Sequence, residues 1–121
     1  MLEYPEKRKQ LMYYVGLMVD PEQSHRVWVE GILPTGMVFD NFTEAFRFFF
    51  DYTPFDSKEH SIGRVVRNED EWQILQPLMQ AMLKVFKKVG RGYLPDIEYL
   101  ETEEWQDVVK AARTALEILS K

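Results

Sequence analysis

The stretch from Asn68 to Gly90 constrains the fold more than any other part of the chain. Asn68 is a residue type that caps helix N-termini, and Glu71 follows three positions later, the spacing of a capping box. Glu69, Asp70 and Glu71 set negative charge at the positive end of the helix dipole, and Lys84, Lys87 and Lys88 set positive charge at the other end. Gly90 is a natural left-handed stop. Trp72, Leu75, Met79, Met82 and Phe86 form one apolar stripe, and Ile74, Leu78, Ala81, Val85 and Val89 form a second beside it. An apolar arc this wide predicts a central helix contacted from two sides. Pro77 lies inside it and predicts a bend near Gln73. The acidic run at its start reads as a solvated helix end.

Around this helix the pattern predicts a mainly α, single-domain bundle of about five to six helices over residues 1–121. One runs from Pro5 to Val19, with Leu11, Tyr14, Val15 and Met18 on one side. Another starts at Asn41, with Glu44 at the third position, and ends before Pro54. The last is capped by Thr102, with Trp105, Val108, Val109, Ala112, Leu116 and Leu119 at helical spacing. Two segments carry conflicting signals. Residues 25–31 are β-branched and aromatic, yet Asp20-Pro21-Glu22 is a good helix start and Gly31 a good stop. Residues 61–67 contain Val65-Val66, while Ser57 offers a cap for a short helix. Helix is the favoured reading of both, and an α+β fold with a small two-stranded sheet is the alternative.

Composition narrows function mainly by exclusion. A net charge of −5 argues against nucleic acid and against an anionic membrane surface, because both are held by clustered Lys and Arg. Lys84, Lys87, Lys88 and Arg91 form a basic cluster, and a helix C-terminus favours cations on its own account. No stretch approaches the ~20 apolar residues of a membrane span. The chain has no Cys, which excludes thiolate chemistry and Cys-ligated zinc and suits a reducing, cytoplasmic setting.

Motifs for catalysis are missing. Gly90-Arg91-Gly92 follows a helix instead of opening one, so its N–H groups are not aimed at a phosphate. No nucleophile elbow or His-Glu-x-x-His is present. His60 lies four residues after Asp56, but two ligands do not make a metal site. His25 reads as a surface or partly packed side chain, with pairing to a carboxylate as the chemical alternative. Asp51 and Asp56 bracket a turn, where paired carboxylates serve acid–base work or simply cap. Trp28, Trp72 and Trp105 read as core anchors; an exposed one would mark a contact hot spot. No metal or cofactor is expected.

Several fragments together resemble a family of small, uncharacterised bacterial proteins of about 120 residues. They are Trp28 to Gly31, the Phe-rich helix closing in Asp51-Tyr52-Thr53, Ile62-Gly63 ahead of the acidic start at Asn68, and Tyr99-Leu100 followed by Trp105, Val108, Val109, Ala112 and Arg113. The turn after the Phe-rich helix carries two successive Asp in that family, whereas here Tyr52 takes the second place. The resemblance implies no activity and no catalytic residue.

The favoured function is therefore a non-catalytic protein–protein interaction module, an acidic inhibitor, immunity-type or regulatory partner that binds another protein or a second copy of itself. The alternative is a small ligand-binding protein or enzyme that uses carboxylates and His. Phe39, Phe42, Phe46, Phe48, Phe49, Phe50, Tyr52 and Phe55 spread round more than one helix face, so some rings must meet a second layer or a partner. The candidate interaction surface is Asp40, Glu44, Phe48, Asp51, Tyr52 and Asp56, an aromatic contact inside a charged rim.

Overall fold

Caps and stops divide the chain into helices largely where the sequence places them. The computed structural model describes residues 2–32, 41–53, 55–90 and 96–121. Among these there are seven helices and no strand: α1 (Pro5–Met18), α2 (Pro21–Ser24), α3 (Phe42–Arg47), α4 (Lys58–Ser61), α5 (Glu69–Val89), α6 (Asp96–Leu100) and α7 (Trp105–Leu119). The fold is mainly α. Helices α2 and α3 each widen into a π-turn, over His25–Val29 and Phe48–Tyr52. In the first, the Glu30 N–H donates to the His25 carbonyl five residues back, at 3.0 Å. The conflict over residues 25–31 is thus resolved in favour of helix. Asp20 accepts from the N–H groups of Glu22 and Gln23, and Gly31 stops the segment at φ +73°.

Residues 61–67 resolve differently. Ser57 caps α4 by accepting from the His60 N–H, and the helix lasts one turn. Gly63 then takes φ +86°, and the N–H groups of Arg64, Val65 and Val66 all converge on the Ser61 carbonyl. The knot buries Val65 and Val66 without helix or sheet; a single bridge joins Ile62 to Val66.

Helix α5, about 31 Å long, is the longest helix among the described residues, but α7 and not α5 lies at the centre, packed against α5 and α1. Both stripes of α5 contribute buried residues, including Leu75, Met79 and Phe86 from one and Leu78, Ala81 and Val85 from the other. It packs antiparallel to α7: Lys88 meets Glu104 at 2.9 Å near one end, and Arg67 reaches the Leu119 and Lys121 carbonyls at the other. α1 packs on α7. Pro77 is exposed on α5, and Gln73, whose carbonyl loses its helical donor, is exposed too, so water can accept the cost.

Glu71 corrects the sequence reading. Its backbone N–H does donate to Asn68, as a capped start requires. Its side chain, however, is 1% exposed and is no solvated helix end. Arg8 grips the carboxylate with two parallel bonds of 2.7 and 3.2 Å, and Arg67 holds it through Nε at 2.8 Å and its backbone N–H at 2.7 Å. The same guanidinium groups reach the carbonyls of Val65 and Leu119. A single carboxylate thereby ties α1, α5 and the end of α7. Burial alone would raise the Glu71 pKa; the hydrogen bonds from Arg8 and Arg67 outweigh it and hold the carboxyl below its ordinary value.

Candidate functional site

The Phe-rich segment is built by one cap and one change of helical pitch. Asn41 accepts from the Glu44 N–H at 2.8 Å and starts α3. The π-turn then adds room at Phe48–Tyr52, so that Phe48 and Phe49 both turn inward and Asp51 and Tyr52 turn outward. Phe42, Phe49 and Phe55 are fully buried. Phe46 stacks between Phe50 and Phe86, at 4.3 and 4.1 Å between ring centres. A second layer of the same domain thus takes up these rings.

The expected surface shrinks accordingly. Phe48 is 2% exposed and touches Tyr14, Phe49 and Phe55, so burial removes it from any contact with a partner. Asp40 and Phe39 lie outside the described residues, as does Arg91. Glu44 is half-buried in the first turn of α3, 3.8 Å from Arg47. Asp56 is exposed in the turn before α4. What remains together is Asp51 and Tyr52. Tyr52 is 53% exposed.

A residue from far away in sequence completes this edge. Lys7 of α1 donates to the Tyr52 carbonyl at 2.9 Å, and its ammonium stands 5.6 Å from the Phe48 ring centre and 6.0 Å from that of Tyr52. Local spacing carries no signal for a contact across 45 positions. The result is a fixed aromatic edge with a cation and a carboxylate beside it.

The other polar residues lie on open surface. His60 Nδ1 is 2.9 Å from Ser57 Oγ in the α4 cap, and His25 Nδ1 is 3.3 Å from Glu30 Oε2 beside an open depression of about 370 Å³. His25 does meet a carboxylate, but both side chains are about half exposed. No group of three or more His, Asp or Glu among the described residues is placed to hold a metal ion. Beyond Glu71, the pair at the far end of α5 is mutually shifted: Glu104 raises the Lys88 pKa, and Lys88 lowers that of Glu104. Trp28 and Trp105 are buried, and Trp72 is packed at the core edge, with its indole N–H on the Phe55 carbonyl at 2.8 Å. All three are anchors. No helix among the described residues is long and apolar enough to cross a membrane.

A family model described as Domain of unknown function (DUF7945) matches residues 2–121. The chain belongs to this family. Its match over the whole described fold agrees with the resemblance drawn above to an uncharacterised family of this length. Neither a curated protein nor a solved structure matches the chain.

Proposed function

We propose that the protein is a non-catalytic interaction module of the bacterial cytoplasm and that it binds another protein through the edge formed by Asp51, Tyr52 and Lys7. The observation that carries this reading is Tyr52, an aromatic ring left outside while Phe48, Phe49 and Phe55 are buried. Lys7 holds its backbone, so little order remains to be lost on binding. Tyr is a favoured anchor at contact surfaces because its ring is apolar and its hydroxyl polar. The lack of Cys and the acidic balance support the cytoplasmic setting and a basic partner.

Affinity capture from the source cells tests it, using wild type beside Tyr52→Ala and Asp51→Lys. A specific protein retained by wild type and lost by both variants, with thermal unfolding unchanged, is the expected result. Equal recovery by all three would move the contact elsewhere.

A further inference from the structure

The two longest helices with strong amphipathic faces, α5 and α7, leave an outer groove of about 490 Å³ between them. Its lining is mixed: Ile74, Pro77 and Ala81 of α5 and Ala111 of α7 are apolar, and Gln80 stands beside them. Lys84 and Lys110 stand on opposite walls, with Asp107 one turn from Lys110. Among the described residues the paired lysines are Lys9, Lys58 and Lys88; Lys84 and Lys110 have no carboxylate within ion-pair distance. In a chain of net charge −5, this groove therefore carries two cations against one anion.

We propose that this groove is a docking site for an acidic amphipathic helix of another protein. Three features choose that occupant. First, the walls are helices whose backbone groups are already bonded, so the groove offers no edge for an extended peptide and suits a ligand that satisfies its own backbone. Second, Ile74, Pro77, Ala81 and Ala111 give a third helix apolar surface to bury, at the usual ~8–10 Å between packed helix axes. Pro77 and Lys84 are seven positions apart, about 10.5 Å along α5, the reach of an i to i+7 stripe. Third, the unpaired lysines on both walls favour carboxylates at the flanks of that stripe, and the net charge of the chain disfavours a second copy of itself. The groove shares no residue with the Tyr52 edge and stands or falls separately.

The test uses ¹⁵N-labelled protein and two synthetic helical peptides of about 15 residues. Both carry the same Ala/Leu stripe; one has Glu on its flanks and the other Lys. The Glu peptide is expected to bind roughly tenfold or more tightly than the Lys peptide and to shift the amide signals of Ala81, Lys84, Lys110 and Ala111. The double variant Lys84→Glu/Lys110→Glu should invert the preference, and Tyr52→Ala should leave the titration unchanged. Both variants change exposed side chains, and circular dichroism confirms their fold. Equal binding of the two peptides, no binding of either, or shifts confined to other helices would overturn the proposal. A wild-type dimer in light scattering that Ala111→Trp dissociates would overturn it as well, by giving the groove to a second copy.

Discussion

The two ends of α5 are fastened by opposite kinds of chemistry. At its start, one buried carboxylate is held by two guanidinium groups that also reach the carbonyls of Val65 and Leu119. Towards its end, Phe86 lies in a nest of rings: Phe42 touches Trp28, Phe86, Tyr99 and Trp105, with ring centres 4.9–6.4 Å apart. The polar end is directional and depends on charge. The aromatic nest is held by area and shape, and the Lys88–Glu104 pair at the same end lies at the surface, outside it. One helix can therefore be loosened at either end by different means.

Removing a central ring should have the largest effect. Phe42→Ala is expected to cost about 5 kcal/mol in urea unfolding, the upper part of the range for a buried Phe, with the same loss at pH 7 and pH 3. A cost that varies strongly with pH would break the contrast between the ends.

Glu71→Ala follows, at about 3 kcal/mol, because it leaves two cations facing an apolar interior. The figure sits at the low end of the usual range because Arg67 is 43% exposed and keeps some water. The folded-state pKa of Glu71 lies below the ordinary 4.5. Its contribution is therefore full above the unfolded value and is lost as pH falls through the lower folded value. The gap between wild type and Glu71→Ala should close in acid, as measured by denaturation midpoints at pH 7 and pH 3. A constant gap would mean that Glu71 acts by volume alone.

Caps come next. Asn68→Ala and Asn41→Ala should each cost about 1 kcal/mol. Because Asn68 also positions the backbone beside Glu71, its loss should exceed that of Asn41; the reverse order would separate the cap from the charge network. Tyr52→Ala should change stability least, by less than about 0.5 kcal/mol, whereas Phe48→Ala, four residues earlier, should cost about 3–5 kcal/mol. Similar losses for the two would contradict the division of this segment into an inner and an outer face.

What was legible in the sequence follows this same division. Apolar periodicity names the aromatic end, since Phe86, Trp105 and the rings of α3 fall where a 3.6-residue repeat places them. Caps were legible as well: Asn41, Asn68, Ser57 and Asp20 all accept the backbone N–H groups expected of them. The polar end was not legible. Glu71 stands in an acidic run that looks solvated, and its partner Arg8 lies 63 positions away. Local spacing carries no trace of a long-range ion pair. The π-turns were hidden for a related reason. A single extra residue per turn shifts which Phe faces inward, and that shift put Phe48 inside and left Tyr52 as the exposed ring. Lys7 at the same edge belongs again to the long-range class.

The indole pair in the aromatic nest also has an optical consequence. Trp28 and Trp105 stand 6.0 Å apart with their planes at 77°. At that separation their electronic transitions couple, with a strength and sign set by the relative placement of the two rings. Trp72, at the core edge beneath the Lys58 ammonium 5.0 Å away, stays outside the pair. The protein thus carries its own chromophores for two places at once. The ultraviolet dichroism of the indole pair reports the nest around Phe42, and in a Trp28→Phe/Trp105→Phe variant the emission of Trp72 reports the start of α5, so loosening of either place is visible without any added label.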